Sequence, residues 1–197
     1  MTVQETLDNI VKLNNGYLRT SDVVASGISK TYLSEYVKKR NLDRVAKGVY
    51  MSEDAWLDEL YLIHLRNKEA VFSHETALYL YGLTEREPSR IMLTVSRGYN
   101  ASHLRDRDCK VYTISRDVHS LGKTEVTTNF GNKVYAYDVD RTICDIIKSK
   151  EKTDIQVFQS ALKEYMHSSN KNLPNLMKYA AALGIEDKVR TYTEVML

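Results

Sequence analysis

Residues 20–51 read TSDVVASGISKTYLSEYVKKRNLDRVAKGVYM. The stretch opens on a short run, 20–25, in which Thr20 or Ser21 is placed to cap a helix and Gly27 to stop it. Ser29 is the next cap candidate, for a helix from Lys30 to about Arg40 whose Leu33, Tyr36 and Val37 have the spacing of one buried face. Arg44-Val45-Ala46 and Val49-Tyr50-Met51 then flank Lys47-Gly48 as two short strands around a tight turn. Upstream, Val3, Leu7, Ile10 and Val11 recur at helical spacing, Asn14-Asn15-Gly16 ends that helix, and Tyr17-Leu18 reads as a short extended link. Helix, short helix, turn, helix and hairpin is the element order of a winged helix-turn-helix, expected over residues 1–53.

Charge is segregated along the chain, although the total is only +2. Residues 1–50 carry eight Lys/Arg against five Asp/Glu, residues 51–85 two against seven, and residues 86–123 eight against four. Local fields of this kind attract polyanions even when net charge is near zero. On the helix after Ser29, Lys30, Ser34 and Lys38 lie four apart and share one face, bordered by Thr31 and Glu35. A recognition helix sets its first residues against base edges and lets flanking cations reach phosphates. Lys30, Thr31 and Ser34 are therefore candidates for base contact. Lys38, Lys39, Arg40 and the wing residues Arg44 and Lys47 are candidates for phosphate contact. The competing reading is a solvated helix face followed by a structural hairpin. In the second basic block, Arg86, Arg90, Arg97, Arg105 and Arg107 fall around strands and loops. They read either as surface arginines, some paired with Asp106 and Asp108, or as an extension of a nucleic-acid surface.

Residues 54–197 read as a second, α+β domain with a small mixed sheet and a helical C-terminal end. A helix is expected from about Ala55 to Asn67, carrying Trp56, Leu57, Leu60, Tyr61 and Ile63, and Ser73 is placed to cap HETALYLYGL, which Gly82 ends. Strands are expected at 91–95, 110–114, 125–128 and 133–137, and helices at 141–148, 154–168, 173–183 and 187–196. Most of the 14 tyrosines, including Tyr61, Tyr79 and Tyr165, sit at apolar helical positions and read as core rather than as a stacking platform.

Enzyme signatures are weak. Asp138 and Asp140 have D-x-D spacing, but Asp140 leads into the next helix, where it reads as a cap. Ser73-His74-Glu75 lacks a nucleophile elbow, the five histidines lack metal-ligand spacing, and there is no P-loop or dinucleotide glycine motif. No catalytic residue, metal or cofactor is expected. No apolar run approaches the roughly 20 residues that span a bilayer. MTVQETLDNIVKL has neither the basic start nor the apolar block of a signal peptide, and Cys109 and Cys144 make no disulfide or zinc pattern, so a cytoplasmic protein without a membrane partner is expected.

The run GYLRTSDVVASGISKTYLSEYVKKRNLDRVAKGVYMSEDA resembles the N-terminal winged-helix domain of AbiEi-family antitoxins. FSHETALYLYGLTEREPSRIMLTV and YDVDRTICDIIK resemble that family's second domain, so the likeness runs from Gly16 to Lys148. The resemblance implies a bacterial antitoxin and autorepressor that binds inverted repeats in the promoter of an abortive-infection (phage-resistance) operon. It further implies a nucleotidyltransferase-like toxin countered without a stable complex, the type IV arrangement, with antitoxicity in the second domain. Two other readings stay open: a winged-helix regulator whose second domain senses a ligand or partner, and a divergent nucleotidyltransferase using Asp138 and Asp140.

Overall fold

The computed structural model describes residues 2–196, with side chains described up to residue 194. The chain is α+β and forms two compact units, the first reaching to Ile63 and including Thr128–Asn132, the second comprising His64–Thr127 and the chain from Lys133 onward. By contacts the first unit thus extends past residue 53.

In the first unit, α1 (Val3–Leu13) begins with a capping box in which Thr2 and Glu5 each accept the other's backbone N–H. β1 (Tyr17–Arg19), α2 (Thr20–Ala25), α3 (Lys30–Lys39), β2 (Asp43–Ala46) and β3 (Val49–Met51) follow. Tyr17-Leu18 is more than a link: it pairs antiparallel with β3, completing a sheet of order β1-β3-β2. Neither Thr20 nor Ser21 caps α2. Arg19 occupies the cap position without a side-chain bond, because Thr20 and Ser21 are already in the first helical turn. Ser29 does cap α3, accepting from the Tyr32 N–H at 3.2 Å. The hairpin turns at Gly48, whose φ of +71° suits glycine, and its backbone carbonyl accepts from the Thr20 N–H. Leu7, Leu18, Val23, Leu33 and Tyr36 form the core beneath these elements.

Helix α4 (Glu59–Arg66) starts later than the apolar run suggests. Trp56 and Leu57 are 76% and 57% exposed, and residues 55–58 are not helical. Two side-chain interactions hold this segment open. The Tyr17 hydroxyl donates to the Trp56 carbonyl and accepts from the Asp58 N–H, while Asp58 Oδ1 accepts from the Tyr61 N–H. The other Asp58 oxygen accepts from Thr128 and Asn132 at 2.6 and 2.8 Å, which fixes the 128–132 loop.

The second unit is built on a five-stranded mixed sheet of β4 (Val71–Phe72), β5 (Met92–Ser96), β6 (Lys110–Ile114), β7 (Lys123–Thr127) and β8 (Lys133–Tyr137), in the order β6-β5-β4-β8-β7. The central β4, two residues long, carries no periodicity and is absent from the sequence reading. So are the short helices α6 (Ser102–Arg105) and α7 (Arg116–His119). Helix α5 (His74–Leu80) has Ser73 at its cap position, but that hydroxyl makes no cap bond and instead engages His74 and Thr94. Helix α8 (Val139–Lys148) is buried from Asp140 to Ile147 and is surrounded by α5, α9 (Ile155–His167), α10 (Leu173–Leu183) and α11 (Glu186–Met196). Its cap is Asp138, which accepts from the Arg141 N–H at 2.8 Å, rather than Asp140. Asp140 faces inward and accepts from Tyr165, Asn175 and the Asn172 backbone. Among the described residues no helix is long and apolar enough to cross a membrane.

His74 sits at φ +53°, 4% exposed, with its ring stacked on Tyr112 at 3.6 Å between centroids. Burial, reinforced by the nearby charges of Lys110 and Arg141, pushes the imidazole pKa down to about 3. The unfolded chain takes up this proton near 6.5, so the stability it represents is complete above 6.5 and is lost as pH falls toward 3. Asp145 acts oppositely. Burial, partly offset by Arg141, lifts its carboxyl from 3.8 to about 6, and over that interval the folded chain gains stability on acidification. The His74 shift is the larger. Thermal unfolding between about pH 7 and pH 4 should therefore show a steeper acid loss in the wild type than in His74→Gln; superimposable profiles would place the acid sensitivity elsewhere.

Candidate nucleic-acid interface

On α3, Leu33 and Tyr36 face the core, which turns Thr31, Ser34, Glu35 and Lys38 outward and leaves Lys30 exposed at the helix start. The Ser34 hydroxyl donates back to the Lys30 carbonyl at 3.0 Å, so its oxygen remains able to accept. Arg44 and Lys47 are exposed on the hairpin, Lys47 at its turn. Among the described residues no ion pair involves Lys30, Lys38, Arg44 or Lys47. No carboxylate of the described residues thus stands at contact distance from these four side chains.

Lys39 and Arg40 are placed differently. Lys39 Nζ donates to Gln4 Oε1 at 2.8 Å, and Arg40 pairs with Asp8 at 2.6 Å, both on α1. The Tyr36 hydroxyl donates to the other Asp8 oxygen at 2.6 Å, and that bond, aided by Arg40, lowers the Asp8 pKa. Burial, reinforced by the same carboxylate, pushes the Tyr36 phenol up to about 12. Asp8, Tyr36 and Arg40 thereby fasten the end of α3 to α1. Arg40 contributes to the position of the helix, and its charge already faces the Asp8 carboxylate before any ligand arrives.

Sequence reasoning passed over Tyr32, 47% exposed in the first turn of α3. Its spacing gave no clear signal, because residue 32 lies one turn before Tyr36 at the margin of the buried face. Its hydroxyl lies within the same helix start as Lys30 and Thr31 and is suited to a phosphate or base-edge contact.

In the second unit Arg86, Arg90, Arg97, Arg105 and Arg107 are all exposed. Arg90 is held by Asp108 through an ion pair at 2.7 Å and a bond to its carbonyl at 3.0 Å. Among the described residues Arg97, Arg105 and Arg107 enter no ion pair. Arg86 and Arg90 border a polar cleft of about 330 Å3 with Lys110 and Lys152, in which Glu75, Glu87 and Asp154 balance much of the charge. Asp138 and Asp140 do not form a metal-type pair. All four of their carboxylate oxygens already accept hydrogen bonds within the unit, the last from the Tyr179 hydroxyl at 2.7 Å. That is the pattern of structural carboxylates, Asp140 buried and Asp138 half-buried.

A family model described as "Transcriptional regulator, AbiEi antitoxin" matches residues 5–52, the segment from α1 through β3. No curated protein matches the chain. Among solved structures, that of the RV2827C protein from Mycobacterium tuberculosis aligns over 93% of this chain and 80% of its own, at 11% identity and a TM-score of 0.46.

The two kinds of cation on α3 should separate by mutation. Tyr36→Phe removes a charge-assisted bond and should cost about 1–2 kcal/mol of stability. Arg40→Ala should lower the melting temperature as well, through the same Asp8 node. Lys38→Ala and Lys47→Ala should change stability by no more than about 0.5 kcal/mol. Denaturant unfolding of the four variants checks this; a Lys38→Ala loss equal to that of Tyr36→Phe would mean that Lys38 also fastens the helix.

Proposed function

We propose that the chain is a cytoplasmic, DNA-binding antitoxin and autorepressor, with a winged helix-turn-helix over residues 1–53 and antitoxic activity in the part that follows. The observation that carries this reading is the outward face of α3 and the adjoining hairpin, where Lys30, Lys38, Arg44 and Lys47 stand without carboxylate partners beside Thr31 and Ser34. The family model over residues 5–52 supports the regulator and antitoxin parts of it. Thr31, Ser34 and Lys30 meet base edges in the major groove, Lys38 meets the flanking phosphates, and Arg44 and Lys47 reach the backbone beside the adjacent groove. The DNA is the promoter of its own operon, read at inverted repeats. The operon also encodes a nucleotidyltransferase-like toxin, opposed without a stable complex in a type IV, phage-resistance arrangement. Arg97, Arg105 and Arg107 are candidates to lengthen the contact.

Four unpaired cations set the electrostatics. Three of them, Lys38, Arg44 and Lys47, meet phosphates, so log K falls with log salt at a slope of roughly −3. Lys38→Ala and Lys47→Ala should each flatten the slope by about 1 and weaken all sequences alike, whereas Thr31→Ala should weaken the operator more than unrelated DNA. In cells, Lys38→Ala/Lys47→Ala should derepress a promoter reporter while rescue from the toxin persists at equal protein abundance. Affinity independent of salt would overturn the interface. Rescue lost in step with DNA binding would mean that protection runs through repression and that the second domain has no antitoxic role of its own.

A further inference from the structure

The second unit holds a cavity of about 310 Å3 whose inner wall includes His74, Tyr112, Arg141, Asp145 and Ser149. Its outer end is bordered by the exposed Thr113, Glu151 and Lys152. The inner wall is unusual in what it leaves unsatisfied. Arg141 is fully buried, and its Nη1 donates to the carbonyls of Val118 and Leu121 at 2.9 and 2.7 Å. Its Nε reaches Asp145 Oδ1 at a long 3.3 Å. Arg141 Nη2 and Asp145 Oδ2, both out of solvent, have no hydrogen-bond partner. A donor and an acceptor left unsatisfied on one buried charged pair cost more than neutral groups would, and native structures rarely leave them so.

The rest of the wall is preorganised. Thr94 donates to the Ser73 oxygen at 2.8 Å, which sends the Ser73 proton to His74 Nδ1 and makes Nε2–H the donor to Ser149. His74 is thereby fixed as one neutral tautomer. Its left-handed backbone is a local strain of the kind that accumulates at ligand clamps. The volume is at the lower end of the range for small-molecule sites, enough for one nucleoside or amino acid and too small for a dinucleotide or a peptide.

We propose that this cavity binds a small molecule through an amide-type edge, its carbonyl accepting from Arg141 Nη2 and its adjacent N–H donating to Asp145 Oδ2. Guanine, uracil and a primary carboxamide present that edge. The site goes beyond the DNA-binding reading and does not depend on it, since every residue involved belongs to the second unit.

The test is calorimetric titration and thermal shift of the full chain with guanosine, uridine and L-glutamine, arms that separate a nucleobase source from a carboxamide source. At least one should bind with a stoichiometry near one and raise the melting temperature saturably. Two variants address the site from opposite ends. In Asp145→Asn the amide oxygen must face Arg141 Nε–H, which turns the NH2 toward the ligand's N–H, so affinity should fall at least about tenfold, the loss of one charged hydrogen bond. Thr113→Trp fills the mouth from an exposed edge-strand position and should abolish binding with the apo melting temperature unchanged. It carries the test alone if Asp145→Asn fails to fold. The proposal is overturned if none of the three probes binds at millimolar concentration, or if binding survives Thr113→Trp. It is equally overturned if a high-resolution structure of the probe-soaked chain shows only an ordered water bridging Arg141 Nη2 and Asp145 Oδ2.

Discussion

Arg141 is a guanidinium side chain with no surface exposed to bulk solvent, and the second unit is arranged around that fact. A buried guanidinium is tolerated only when its donors and its charge are answered locally. Here the answers come from the Val118 and Leu121 carbonyls, the Asp145 carboxylate and the face of the Tyr137 ring, 4.1 Å from the guanidinium carbon. Each answer constrains a different element. The carbonyls pin the loop after α7, and Tyr137 ties the end of β8. Gly122 must be glycine because a Cβ there would stand 2.7 Å from that of Arg141. Two further polar side chains of α8 are answered as well: Asp140 by Tyr165 and Asn175, Thr142 by the Tyr137 carbonyl.

The first unit solves a smaller problem with the opposite means. Its core is a small apolar cluster that includes Leu33 and Tyr36 of α3, and the helix is fixed at its far end by polar contacts to α1 as well. Asp8 collects a phenol and a guanidinium at once. The geometry keeps the near end of α3, with its serine cap and first-turn side chains, free of such ties.

What was legible in the sequence was whatever repeats. The 3.6-residue spacing of Leu7, Ile10 and Val11, of Leu33 and Tyr36, and of the C-terminal helices marked elements found close to where they were expected. The strands of four or five residues were legible for the same reason. Two residues of β4 give no period, although they join both halves of the sheet. Trp56 and Leu57 mimic the start of an amphipathic helix, but the Tyr17 hydroxyl, from a strand far away in sequence, claims the backbone on either side of Leu57. The choice between Asp138 and Asp140 as cap turned on which carboxylate Tyr165 and Asn175 would take, again a tertiary matter. His74 was legible only as a residue type; its ring partner Tyr112 and its left-handed backbone depend on packing.

The same limit explains why charge counts along a sequence overstate an interface. Within 1–50 all eight basic residues look alike in composition. Folded, Arg19 pairs with Asp22 and Arg40 with Asp8, while Lys39 lies against Gln4. A cation already paired gains little from a phosphate, because it must give up one anion to meet another. An unpaired one exchanges only water and mobile counterions. The residues left in that second state on α3 and the hairpin are Lys30, Lys38, Arg44 and Lys47, and they come from two elements that the β2–β3 pairing and the Ser29 cap hold in fixed relation. Which cations of this unit stay open to an external anion therefore follows from which carboxylates the fold consumes internally, Asp22 on Arg19 and Asp8 on Arg40.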